Sequence, residues 1–213
     1  MNKRSENLRQ YRHDATAQFL LEAAEAVMAE NGYDRVTMRE IATRAGCAPG
    51  TFYLYFKNKQ EVLGALTARH SHLLLTQLNG ILAGPAAPEV KLQQIIQTLV
   101  LHFTRNQGII RVLYAGQTMT PGSRFAGMPA PIRREWHAFF RAELLVIKAA
   151  QEAGSVRTDY SPVMIQSYMN LVVLGLRDEI LAQTRLPSLA KLQRMVWQML
   201  REGIGKVESC QHE

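Results

Sequence analysis

Thr37-Met38-Arg39-Glu40-Ile41-Ala42-Thr43-Arg44-Ala45-Gly46-Cys47-Ala48-Pro49-Gly50-Thr51-Phe52-Tyr53-Leu54-Tyr55-Phe56-Lys57-Asn58-Lys59 holds the signals for two short helices joined by a tight turn. Thr37 with Glu40 three residues on is a capping box: the hydroxyl accepts from the amide at Glu40, and the carboxylate reaches back. Ile41, Ala42 and Ala45 give that helix an inner face, and Gly46 stops it. Pro49 suits the first position of the next helix, where the missing N–H has no partner to lose. Such a pair crosses at a steep angle, and its second helix fits a DNA major groove about 12 Å wide. Phe52 and Phe56, four apart, can pack inward, which leaves Pro49, Gly50, Thr51, Tyr53, Leu54 and Tyr55 outward. A hydroxyl there can bond a phosphate or a base edge, and Gly50 lets the backbone come close. Lys59 opens a further helix, where a cation and free N–H groups meet phosphate well. Thr37, Arg39 and Arg44 flank from the first helix of the pair. The plain alternative is that Tyr53 and Tyr55 are half-buried packing residues and the charges a solvated face, since helix pairs of this shape are common in all-α proteins.

Outward from this stretch nearly everything reads as helix. Asp14 can cap a first helix, in which Phe19, Ala23 and Val27, with Leu20 and Ala24 beside them, recur at helical spacing until Asn31-Gly32 ends it. Asn58 with Glu61 marks a helix to about Leu82. Gly84-Pro85-Ala86-Ala87-Pro88 is a breaker, and helices are expected over about 89–106, 109–118, 132–153, 162–184 and 188–203, with a Pro/Gly-rich loop between Thr120 and Pro131. The expected fold is all-α with about nine helices: a DNA-binding domain at 1–65 with a basic N-terminal arm, and a larger helical domain at 66–213.

Charge supports a polyanionic partner only by its placement. The 213 residues carry a formal net charge of +7 with a pI near 9.6. Lys3, Arg4, Arg9 and Arg12 make the first thirteen residues basic, as do Arg35, Arg39, Arg44, Lys57 and Lys59 for the motif. Between them lie Asp14, Glu22, Glu25, Glu30 and Asp34. The chain beyond residue 60 is basic too, so bulk charge singles out nothing. Apolar residues, 47% of the chain, suffice for a core. No run approaches the ~18 apolar residues of a membrane span, and no apolar stretch follows the basic start, so a cytoplasmic protein without a membrane partner is expected. Cys47 and Cys210 cannot make a disulfide framework or a Cys-rich zinc site. His70 and His72, two apart on a helix, point to different sides. No metal and no cofactor are expected. A helical enzyme is one rival reading, but no nucleophile–base pair, metal cluster or phosphate loop stands in the sequence; a DNA-binding protein without a ligand is another, against which the large C-terminal part argues.

The run Thr37–Ala42, then Ala45-Gly46, then Gly50–Lys59 and Leu63 closely resembles the signature of the tetracycline-repressor (TetR/AcrR) family, over about residues 14–65. Gly154-Ser155-Val156-Arg157-Thr158-Asp159 with Pro162 also looks like a loop of such proteins; elsewhere the likeness is in layout. The resemblance implies a homodimer that binds a palindromic operator in double-stranded DNA, usually as a repressor, and is released by a small-molecule effector. It places DNA contacts on Thr37, Arg39, Pro49, Gly50, Thr51, Tyr53, Tyr55 and Lys59; Arg44 and Leu54 join them from the reading above. One departure stands out. Members often have Val-Ser where this chain has Cys47-Ala48, so no hydroxyl caps the second helix, a loss of about 0.5–2 kcal/mol. Cys47 is read as a small buried hydrophobe in place of Val.

Leu99, Phe103, Leu113, Tyr114, Trp136, Phe139 and Phe140 suit an apolar ligand cavity between helices. Plain core explains each of them equally well, and the resemblance raises the cavity reading only for the region. In the last two helices Leu171, Leu174 and Gly175 share a stripe, as do Leu189, Leu192, Val196, Met199 and Gly203. Either these stripes are core within the chain, or Leu171, Leu174, Gly175, Leu192, Val196 and Met199 form a four-helix dimer interface.

Overall fold

The computed structural model of the chain describes residues 3–114, 128–183 and 186–205, and among them the backbone forms nine helices and no strand. These are α1 (Lys3–Asn31), α2 (Met38–Arg44), α3 (Pro49–Tyr53), α4 (Lys59–Ala83), α5 (Pro88–Arg105), α6 (Gln107–Tyr114), α7 (Ala130–Glu152), α8 (Pro162–Ala182) and α9 (Leu189–Ile204). The protein is all-α.

The first helix begins well ahead of Asp14. Nothing between Lys3 and Asn31 breaks a helix: the segment has no proline or glycine and is rich in Arg, Leu, Ala, Glu and Gln. The expected basic arm is therefore the opening of α1. The side chains of Lys3, Arg4 and Arg9 lie outside the described residues, as does Cys210; Arg12 is exposed.

The chain falls into two compact units, Met1–His70 with Gly108–Pro129, and Ser71–Gln107 with Ala130–Glu213. The helix α4 is continuous across the division. In the first unit, Leu20, Ala24, Val27 and Met28 of α1 meet a core that also holds Val36, Ile41, Ala42, Phe52, Val62 and Leu66, all buried. Gly32 ends α1 with φ +81°, a left-handed conformation that only glycine adopts without strain, and its amide donates to the Met28 carbonyl. The helix α6 belongs to this unit although the sequence delivers it forty residues later. Gly108 lies so close to α1 that a Cβ on it would sit 3.0 Å from the Ala29 Cβ.

In the second unit α5 packs against α7, α8 and α9. The inner face of α9 is Leu192, Val196, Leu200 and Ile204, spaced four apart and buried. Leu74, Leu75, Leu78, Ile95 and Phe139 form a core cluster, with Leu99, Trp136 and Phe140 packed against it. The segment after α7 is tied down by Arg157. Its guanidinium donates to both Asp159 carboxylate oxygens and to the Gly203 carbonyl, while its own carbonyl accepts from Gln151.

Candidate nucleic-acid interface

The turn before α3 is built by the backbone. The Cys47 amide donates to the Ala42 carbonyl and the Gly46 amide to that of Thr43, each at 3.0 Å, with Gly46 at φ +64°. This is a Schellman closure, which satisfies the last carbonyls of α2 and sends the chain off at a new angle. Ala48 then starts α3 with no side-chain cap, and Pro49 takes its first turn. Cys47 is half-buried rather than buried.

The capping box of α2 is complete. The Thr37 amide and hydroxyl both donate to Glu40 Oε2, at 2.6 and 2.8 Å, and the Glu40 amide returns a bond to the hydroxyl at 3.2 Å. The Thr37 amide, then its hydroxyl, hold the Glu40 carboxyl below the usual carboxylate range. The Thr37 hydroxyl thus positions α2.

Phe52 and Phe56 point into the core, their ring centroids 5.5 Å apart. Pro49, Gly50, Thr51, Tyr53 and Leu54 are all exposed on the other side of the short helix, and Arg39 is exposed on α2. Tyr55 is half-buried and stacks on His13 of α1, centroids 4.7 Å apart. The His13 contact was not legible in the sequence, because nothing local relates positions forty residues apart. Arg44 is ion-paired with Glu30 of α1, an exposed pair that a phosphate could open. Among the expected contact residues, then, one exposed patch gathers Pro49, Gly50, Thr51, Tyr53 and Leu54.

Lys59 departs from the expectation. Its ammonium donates to the carbonyls of Tyr33, Val36 and Asp34, at 2.6, 3.0 and 3.2 Å, and lies 4.5 Å from the centroid of the Tyr33 ring. An ammonium has three donors, and all three are engaged. The cation holds the chain after α1 against the start of α4 instead of facing outward. A second tie between these helices was also missed: Glu25 of α1 pairs with Arg69, and its other oxygen lies 3.0 Å from His70 Nε2. Burial, then the Arg69 charge, push the His70 imidazole down to about 4.

The other expected sites divide differently from the sequence reading. Leu99, Phe103, Trp136, Phe139 and Phe140 lie in the second unit, where Trp136 stacks on Phe140 and meets Phe139 edge-on. Leu113 and Tyr114 are half-buried on α6, in the first unit. None of the seven lines the open groove of about 920 Å³ along α4 and α5, whose walls include Gly80, Ile81, Gly84, Gln97 and Leu101. On α9, Leu192 and Val196 are 3% and 2% exposed within their own chain, so they cannot form a dimer interface. Their side chains belong to the core of their own chain. Leu171 (67%) and Met199 (52%) are exposed, Gly175 is exposed and Leu174 half-buried. No group of His, Cys, Asp or Glu able to hold a metal occurs among the described residues, and no described helix is long and apolar enough to cross a membrane.

The family model described as "Bacterial regulatory proteins, tetR family" matches residues 20–66. An HTH-type transcriptional regulator of Bacillus subtilis, YvdT, is 34% identical over 97 residues, 46% of this chain and 50% of its own. The chain thus spans about half the length of that curated relative. Among solved structures, the fatty acid degradation regulator FadR from Bacillus halodurans superposes with a TM-score of 0.72 at 18% identity, over 93% of this chain and 97% of its own. SmeT, the repressor of the Stenotrophomonas maltophilia multidrug efflux pump SmeDEF, does so with a TM-score of 0.66 at 21% identity, over 90% and 91%. These two likenesses concern the fold alone. Taken with the helix pair and its exposed second helix, the match over residues 20–66 means that the chain carries the DNA-binding domain of the tetR family of bacterial regulatory proteins.

Proposed function

We propose that this protein is a homodimeric transcriptional repressor that grips a palindromic operator through α3 and releases it when a small apolar or amphipathic ligand binds the second unit. Gly50 carries the DNA-binding part of this reading. A Cβ built there meets nothing within 4 Å, and the residue has no left-handed φ. The fold itself has no use for a glycine at that place, and a helix loses about 0.5–1 kcal/mol by having one. A bare backbone on an exposed recognition helix serves a surface that must come close from outside. Pro49, Thr51 and Tyr53 surround it with hydroxyls and small apolar groups, and Arg39 adds a cation on α2.

The dimer is supported by an apolar face. Val163, Met164, Tyr168 and Leu171 on α8, with Met195 and Met199 on α9, are exposed. Tyr168 packs against Gly203, where an added Cβ would lie 2.5 Å from its hydroxyl, so the two helices present one surface. Two copies would bury it as a four-helix interface. The ligand is supported by Trp136, whose Nε1–H is buried without a hydrogen-bond partner beside Phe139 and Phe140. A ligand carrying an acceptor on an apolar body would satisfy it.

The test is selection of duplexes from a randomised library by the full chain, with sedimentation to give the stoichiometry. Two inverted half-sites occupied by one dimer, with centres about 34–36 Å apart or a multiple of that, are expected. Tyr53→Ala should lose the selected DNA while remaining a folded dimer. A monomer on a single asymmetric site would overturn the proposal.

A further inference from the structure

The residues of α3 restrict what this helix can read in DNA. Guanine is recognised in the major groove mainly by Arg or Lys forks and adenine by Asn or Gln amides. Positions 49–56 contain none of these four residue types. Arg39 stands on α2, and Arg44 is held by Glu30. Beside the hydroxyls of Thr51 and Tyr53, α3 presents a large apolar side chain. Leu54, its C-cap, is 80% exposed, more than any other large hydrophobic side chain among the described residues. It lies three positions from Thr51 and four from Gly50, hence on the same face as both. A single exposed leucine is ordinary elsewhere on a surface. At the end of a recognition helix, beside a backbone left bare at Gly50, it meets whatever that backbone approaches.

The major groove offers one apolar feature, the 5-methyl group of thymine. We infer that Leu54 is a specificity-determining residue that reads a thymine methyl in each operator half-site, distinguishing T·A from C·G at that position by shape and apolar contact. The inference rests on the DNA-binding reading above. Burying one methyl group corresponds to about a fourfold change in affinity per half-site.

The experiment uses the full chain and the duplex selected from the randomised library. Each thymine of one half-site is replaced in turn by deoxyuridine, which removes only the methyl, and affinity is followed by fluorescence anisotropy for wild type and Leu54→Ala. At one thymine the replacement should weaken wild type about fourfold and leave Leu54→Ala unaffected. 5-Methylcytosine in place of that thymine should bind better than cytosine does. Because Leu54 makes little contact with its own chain, the variant should melt with wild type. If no thymine shows the effect, or if the effect persists undiminished in Leu54→Ala, the inference is wrong. If no duplex is enriched at all, the DNA-binding reading falls and takes this one with it.

Discussion

Replacing Lys59 by methionine separates two roles that the same cation could have in a DNA-binding domain. Methionine keeps most of the aliphatic stem and removes the ammonium. The structure assigns that ammonium to three carbonyls, those of Tyr33, Asp34 and Val36, and to the face of Tyr33. Hydrogen bonds to charged groups contribute about 1.5–3 kcal/mol each where water is excluded. The bond to Asp34 is exposed and those to Tyr33 and Val36 are part-buried, so water replaces much of what is lost, and about 2–3 kcal/mol in all is expected. For a chain of this size that lowers the melting temperature by about 4–12 °C. The free protein should therefore melt earlier, while the dependence of DNA affinity on salt keeps its slope. Were Lys59 a phosphate contact, the result would be reversed: unchanged melting, and a log–log salt slope flatter by about 0.9 per subunit. Lys59→Arg sharpens the comparison. A guanidinium retains the charge but cannot aim tetrahedrally at three carbonyls, so it should destabilise the free protein too. A Lys59→Met protein that melts like wild type, with a flattened salt slope, would refute the reasoning.

Other substitutions bear on the remaining features. Gly50→Ala should raise the melting temperature by about 1–4 °C, because alanine is the better helix former and meets nothing, while weakening operator binding by tenfold or more; calorimetry and anisotropy on one preparation check both halves. Leu171→Arg should give a folded monomer by sedimentation, whereas Leu192→Arg should fail to fold, since it buries a charge in the core of its own chain. The low pKa of His70 has a pH consequence. The unfolded chain takes up a proton there below about pH 6.5, and the folded one not until about pH 4. Stability from this group is therefore present above pH 6.5 and falls as pH drops towards 4. In His70→Asn the fall over that range should be smaller when unfolding is measured in urea at each pH.

The helices were legible because each carries local instructions: a capping box at Thr37 and Glu40, glycines at 32 and 46, prolines at 49 and 162. Where the sequence misled, the deciding partner was far along the chain. A lysine after a turn looks outward until the carbonyls of residues 33–36 are found beneath it. The stripe that the sequence suggests for α9 is 189, 192, 196, 199 and 203, mixing spacings of three and four. The packed face instead keeps to four and takes 200 and 204, which turns Met199 outward. The start of α1 was missed for the opposite reason, since a plausible cap at Asp14 does not start a helix when nothing before it stops one.

The contact between Gly108 and Ala29 bears on how far the DNA-binding unit can be treated as a transferable cassette. A fragment cut within α4 would leave behind α6, and with it the close approach of Gly108 to Ala29. During synthesis that contact cannot form before residues 71–107, the first part of the second unit, have emerged. A chimaera joining this head to a foreign sensor would have to bring residues 107–114 along, or supply a helix with an equally small residue to lie against α1.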